Sequence, residues 1–219
     1  MAPGSEEKAT VEFFFDISCP WSYLALERVR EAALRTGSRV IYRPVLVDDV
    51  LRVANPAFPA SRTDPVPARA LYQAKDLADW GRYCGLTIRR PSPWPLRTEW
   101  AQRGAVVAAG IDQAARYLSA VFAALFTDNR EVGERTVVEA VAREAGFDPV
   151  HFVAGISAGE TLAQVESNVA ELLARGGFGT PTLLVGDDLY FGNDRLPLVE
   201  AALARQGGMR LVLPGAHGA

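Results

Sequence analysis

Residues 10–29 read TVEFFFDISCPWSYLALERV, and their pattern decides the class of fold. Val11 to Phe15 is an apolar and aromatic run interrupted only by Glu12, which predicts a strand buried on both faces. Cys19 stands where the run has ended, and Pro20 follows it. Proline suits the first turn of a helix, where its missing N–H would be unpaired anyway. Tyr23, Leu24, Leu26, Val29 and Ala33 then recur at helical spacing, and Gly37 stops the helix. Arg39 to Pro44 (RVIYRP) reads as a second strand. Strand, helix and strand within 45 residues make a βαβ unit, which requires a parallel pair and a right-handed crossover.

The other end of the chain repeats the logic in reverse. Thr161 to Ala174 predicts a helix, with Thr161 and Gln164 spaced as a capping box. Thr182 to Val185 is a strand, Gly186-Asp187-Asp188 a hairpin turn, and Leu189 to Phe191 the returning strand. Asn193 and Asp194 can cap a last helix, Leu196 to Ala204. The order βαβ…αββα implies one α/β sheet domain assembled from residues 10–47 and 158–206.

Residues 48–157 read as an inserted all-helical domain. Asp48 to Pro67 looks irregular and carries Pro56, Pro59, Pro65 and Pro67, the mark of a functional loop. Ala68 to Tyr83 is an amphipathic, core-facing helix ended by Gly85. Beyond the joint Pro91-Ser92-Pro93-Trp94-Pro95, helices are expected at 98–110, 113–126 and 133–145. Asp148 and Pro149 open a short one as N-cap and first helical residue. Residues 207–219 form a Gly-rich, flexible tail.

Composition bounds the function. Of 219 residues, 49% are hydrophobic and 22% charged, as in ordinary globular proteins. A net charge of −3 gives no reason to expect nucleic acid or an anionic membrane as partner. No apolar stretch approaches the roughly 20 residues that cross a bilayer. Met1 to Lys8 is polar and does not read as a signal peptide, so the expected compartment is cytoplasmic. Cys19 and Cys84 are the two cysteines, and a structural disulfide is not expected there. His151 and His217 lie too far from them for a zinc site, so no metal is expected.

Cys19 at a helix N-terminus faces about half a positive charge and unpaired N–H groups, which would lower its pKa. The alternative is a small buried apolar residue. Ser22 occupies the place of the second cysteine in Cys-x-x-Cys, so no disulfide can close within the motif. Cys19 is left as a nucleophile, a binder of another thiol, or a partner in a mixed disulfide. Cys84, near the end of a core-facing helix, is a poor resolving partner.

Three stretches resemble one family. FFFDISCPWSYLALERV (residues 13–29), GGFGTPTLLVGDDLYFGNDRLPLV (176–199) and, more weakly, LYQAKDLADW (71–80) are similar to the DsbA-like branch of the thioredoxin superfamily. Within it they resemble the 2-hydroxychromene-2-carboxylate isomerases and kappa-class glutathione transferases. The resemblance implies a thioredoxin-like fold with a helical insertion and a cis Thr180–Pro181 bond. It implies glutathione as cofactor, lying against Thr180 and Pro181 like an added strand. By the same likeness Pro20, Trp21 and Ser22 line the cofactor site. Asn193 and Asp194 would hold its γ-glutamyl end, and Asn55 would reach it. Helix capping is the plain alternative for Asn193 and Asp194, and an ordinary turn residue for Asn55.

The chain departs from those relatives at Cys19, where they carry serine. The serine hydroxyl donates to the glutathione thiolate there. A cysteine at this place belongs to the oxidoreductase side, while Ser22 belongs to the isomerase side. The expected activity is thiol-dependent isomerisation of a conjugated C=C in a small carboxylate, by reversible thiolate addition. A monothiol oxidoreductase or a kappa-type transferase is the alternative. Trp21, Trp94 and Trp100 could wall a flat substrate or simply pack the core. Lys75 could meet a substrate carboxylate or be a solvated helix lysine. The Ala, Arg and Gly content suggests a GC-rich bacterial genome, and some such bacteria use a low-molecular-weight thiol other than glutathione. A homodimer is possible on the same likeness.

Overall fold

Thr10–Phe15 forms strand β1 in the computed structural model, which describes residues 8–59, 62 and 64–209. Val11, Phe13, Phe14 and Phe15 are fully buried, so both faces of the strand are covered. Side chains alternate along a strand, and here they feed two cores. Phe13 and Phe15 join a large cluster that continues through Phe122, while Phe14 joins a smaller one with Val169, Leu172 and Leu184. Glu12 interrupts the run because it anchors ions. Burial raises its carboxyl pKa, but Arg175 at 2.6 Å and Arg43 at 2.7 Å outweigh that and hold it below the usual range.

Helix α1, Pro20–Arg35, follows with Pro20 in its first turn. The chain leaves it at Gly37, whose φ of 65° is the left-handed conformation glycine adopts without a Cβ clash. Strand β2, Arg39–Pro44, lies parallel to β1, with Thr10 opposite Arg39 and Phe15 opposite Pro44. Strands β3, Thr182–Val185, and β4, Asp188–Phe191, form the expected hairpin about Gly186 and Asp187. β3 pairs antiparallel with β1, and the sheet order is β2-β1-β3-β4. This is the thioredoxin-like arrangement, assembled from both ends of the chain.

Between the two halves come α2 (Val47–Ala54), α3 (Pro67–Cys84), α4 (Glu99–Gly110), α5 (Ala114–Phe126), α6 (Arg135–Glu144) and α7 (Pro149–Ser157). Then come α8 (Gly159–Ala174) and, after β4, α9 (Leu196–Gln206). Tyr23 of α1 stacks on Phe122 of α5 with ring centroids 5.2 Å apart, so the helical segment shares the sheet's core.

Three local expectations change. The first part of the proline-rich segment is helix α2, not irregular chain. Its prolines begin only at Pro56, and Asp48 and Asp49 suit the positive end of a helix. Helix α8 starts ahead of Thr161, whose hydroxyl instead bonds the Ala158 carbonyl at 2.9 Å and receives Arg103 Nε at 3.2 Å. Helix α3 is not core-facing: Gly81 is its one buried residue, and Leu71 and Tyr72 are 74% and 65% exposed. The Asp148 cap of α7 is present, its carboxylate accepting from the His151 amide at 2.8 Å. Residues 210–219, with His217, lie outside the described residues.

Candidate active site

Cys19 is the N-cap of α1, and its placement follows from the strand-to-helix turn. Its amide donates to the Asp16 carbonyl at 2.9 Å, and its own carbonyl accepts from the Ser22 amide at 3.0 Å. Pairing of Phe14 with Thr182 sets β1 beside β3 and brings the loop before β3 to this turn. There the Thr180–Pro181 bond is cis, and Cys19 Sγ donates to the Thr180 carbonyl at 3.2 Å. Residues 161 positions apart thus meet over one sulfur.

The electrostatic expectation for this thiol reverses. Cys19 keeps some solvent exposure, yet protein atoms crowd its sulfur, and burial pushes its pKa up from the ordinary value. The Ser22 and Thr180 side chains and the Ser22 amide pull it down less, and the Asp16 charge adds to the rise. Withdrawing a thiolate from water disfavours its charged form. By distance and angle neither hydroxyl bonds the sulfur. Ser22 Oγ and Thr180 Oγ1 are buried and have no hydrogen-bond partner among the described residues, so their pull is one of proximity.

Asn193 is 3% exposed, and its Nδ2 is also unpaired among the described residues. It stands in a 3-10 turn, Asn193–Arg195, ahead of α9. Neither Asn193 nor Asp194 caps that helix: Arg195 holds the N-cap position and makes no side-chain cap. Asp194 is exposed and bonded to Arg195 at 2.8 Å. The capping alternative therefore fails, because a turn of 3-10 helix displaces both residues from the cap.

The remaining residues expected at the site are spread over its surroundings. Pro20 and Trp21 open α1 beside Cys19, and both are half-buried. Asn55 follows α2 and is exposed, its carbonyl taking the Phe58 amide at 2.9 Å. Lys75 lies on the exposed face of α3, paired with Asp79 at 2.5 Å. Trp94 sits between the cis bonds Ser92–Pro93 and Trp94–Pro95, with the Arg62 guanidinium 5.5 Å from its ring centroid. Trp100 is flanked by Arg103 and Arg135, at 4.7 and 5.2 Å, and joins helices there.

A buried network beneath Cys19 escaped the sequence reading. Asp16, 1% exposed, accepts from the Ser18 amide and hydroxyl at 2.7 Å each and from Thr98 Oγ1 at 2.9 Å. Its second oxygen accepts from the Val47 amide at 2.8 Å. Arg62 donates to Ser18 Oγ and pairs with Asp48 at 2.8 Å, so Trp94 is tied through Arg62 to the residue before Cys19. Asp16 had a signal, a carboxylate ending an apolar run; Arg62 and Thr98 had none.

Cys84 is half-exposed and lines a cavity of about 510 Å³ with Arg28, Glu31, Tyr83 and Leu196, away from Cys19. Arg28 and Glu31 lie two to three helical turns beyond Cys19, roughly 14–18 Å along α1 at about 1.5 Å per residue. A disulfide needs Cα atoms within about 7 Å, so Cys84 is no resolving partner in this arrangement. Among the described residues, no group of His, Cys, Asp and Glu is arranged to hold a metal ion. Likewise none of the described helices is long and apolar enough to cross a membrane.

Residues 10–204 match the DSBA-like thioredoxin domain family. The chain belongs to this family. This DSBA-like chain is 26% identical over 194 residues to the 2-hydroxychromene-2-carboxylate isomerase of Sphingobium xenophagum, covering 89% of the chain and 97% of that protein. It is also 26% identical to glutathione s-transferase kappa 2 of Caenorhabditis elegans, over 95% of the chain and 99% of that protein. Its structure superposes on a solved 2-hydroxychromene-2-carboxylate isomerase with a TM-score of 0.78, at 26% identity, covering 90% of this chain and 95% of the other.

Proposed function

We propose that the chain is a thiol-dependent isomerase of the 2-hydroxychromene-2-carboxylate isomerase type. It would act on a conjugated C=C of a small carboxylate in the cytoplasm, with glutathione or a similar small thiol as cofactor. The residues present fit such a group. Buried polar atoms in proteins are nearly always paired, yet Ser22 Oγ and Thr180 Oγ1 beside the sulfur and Asn193 Nδ2 in the later turn are not. A polar, extended tripeptide thiol offers partners for such atoms. When bound, it supplies a nucleophile that adds to the double bond and leaves after rotation, with no net oxidation.

The observation that carries this reading is the state of Cys19. Its sulfur lies 3.2 Å from the Thr180 carbonyl as a donor, and burial favours the protonated form that such a donor needs. In this reading Cys19 is an S–H donor where a serine hydroxyl would do similar work. Ser22, in the place of a second thiol, keeps the motif from closing a disulfide. Asn193 and Asp194 hold the polar end of the thiol. In this reading Trp94, with Arg62 against its ring and bonded to Ser18, would wall a flat, anionic substrate.

The test is isomerisation of 2-hydroxychromene-2-carboxylate with and without glutathione, for the wild type and Cys19→Ser. Activity is expected to need the added thiol and to survive the substitution. Thiol-independent turnover abolished by Cys19→Ser would make Cys19 the nucleophile and overturn the reading. A monothiol oxidoreductase is favoured by one observation, the partly exposed Cys19 with no resolving thiol. It predicts reduction of glutathione mixed disulfides, lost in Cys19→Ser.

A further inference from the structure

Arg28 joins three parts of the molecule. Its Nη1 donates to the Asn193 carbonyl at 2.7 Å. Its guanidinium lies 4.8 Å from the centroid of the Trp80 ring on α3, and Trp80 is braced edge-on by Tyr83 at 5.5 Å. The turn that Arg28 grips is entered through Gly192, at a φ of 103°, whose amide donates to the Pro181 carbonyl at 3.0 Å. The main-chain bond that closes it, from the Arg195 amide to the Gly192 carbonyl, is long at 3.4 Å. Among the described residues, Arg28 is the one side chain from outside the turn that bonds to it. Asn193 Nδ2 is itself unpaired among the described residues, and the backbone that carries it is the one Arg28 holds.

We propose that Arg28, steadied by Trp80, is a positioning residue that holds the Asn193–Asp194 turn in the shape that receives the polar end of the small thiol. This rests on the thiol-dependent reading of the site. A hydrogen bond from a charged donor is stronger than a neutral one, and the aromatic face limits the guanidinium's freedom. Helix α3 has an otherwise exposed surface, and Trp80 gives it a part in thiol affinity. Arg28 touches neither the sulfur nor the reacting bond.

Arg28→Met keeps the stem and removes the donor; Arg28→Lys keeps a donor; Trp80→Leu removes the ring. Three readouts separate positioning from bulk stability: hydrogen exchange at residues 192–196, glutathione affinity by calorimetry, and the split between KM for glutathione and kcat. Arg28→Met is expected to speed exchange in that segment alone and weaken glutathione about tenfold, with kcat at saturating thiol unchanged. Arg28→Lys should recover most of the affinity, and Trp80→Leu should fall between. Unchanged exchange and affinity in Arg28→Met would overturn the proposal. So would exchange raised throughout the fold with kcat and KM altered together. Should the wild type bind no glutathione, the thiol-dependent reading fails. Local exchange then decides the positioning role by itself: faster at 192–196 upholds it, and unchanged refutes it.

Discussion

A thiol's alkylation rate follows its thiolate fraction, so the state of Cys19 can be measured directly. An unperturbed thiol with a pKa of about 8.5 is about 3% thiolate at pH 7. Burial pushes Cys19 above its ordinary value, so its fraction lies below that figure. The perturbation is pH itself, in protein carrying Cys84→Ser so that one thiol is read. Iodoacetamide labelling followed by mass from about pH 5 to 10 should give a midpoint above that of a free thiol. Labelling at neutral pH should be slower than for a peptide thiol. Stability gives an independent check. The folded state holds this proton over a wider pH range than the unfolded chain does. The contribution is therefore full below the ordinary thiol pKa and is lost as pH rises through the folded one. Cys19→Ser should remove that part of the alkaline loss of stability, above about pH 8.5. An alkylation midpoint below about pH 7 would refute the reasoning, because it would make Cys19 a ready thiolate and a nucleophile in its own right.

Two further substitutions test the neighbourhood. Ser22→Cys completes Cys-x-x-Cys at a buried position facing the sulfur, and oxidised protein should then carry a disulfide between Cys19 and the introduced thiol. It should also confer activity as a disulfide reductase on insulin, at the expense of the proposed isomerisation; two free thiols by mass after oxidation would count against it. Asp16→Ala removes the acceptor for four hydrogen bonds in a site 1% exposed. It should cost about 3 kcal/mol or more, because buried donors are left unpaired. In a chain of this size that lowers Tm by roughly 6–12 °C, and a drop of under about 2 °C would show the network to be dispensable.

Period and punctuation in the sequence carried the frame. The run at Phe13–Phe15, the Cys19–Pro20 junction and the Gly186–Asp187 turn each act over a few residues, where local propensity rules. They placed every strand and the thiol at the sheet edge, and the two flanking motifs named the family. Helix α2 was lost because prolines dominate the reading of a window in which they occupy only the second half. Helix α3 was given a buried face because periodicity reports amphipathicity, not what covers it.

Tertiary structure decided the chemistry. Whether a thiol at a helix start titrates low or high depends on how much water the fold removes from it. At Cys19 burial raises the pKa and the Asp16 charge adds to the rise, against the smaller downward pull of Ser22 and of Thr180, 161 residues away. Arg28 looked like any surface arginine on a helix, since its partners Asn193 and Trp80 are adjacent only after the chain has closed. The sequence by itself determined the scaffold and the position of the sulfur, because strands, turns and caps are written locally. The protonation of that sulfur and the grip on the later turn arise from contacts between distant segments, which only the folded chain brings together.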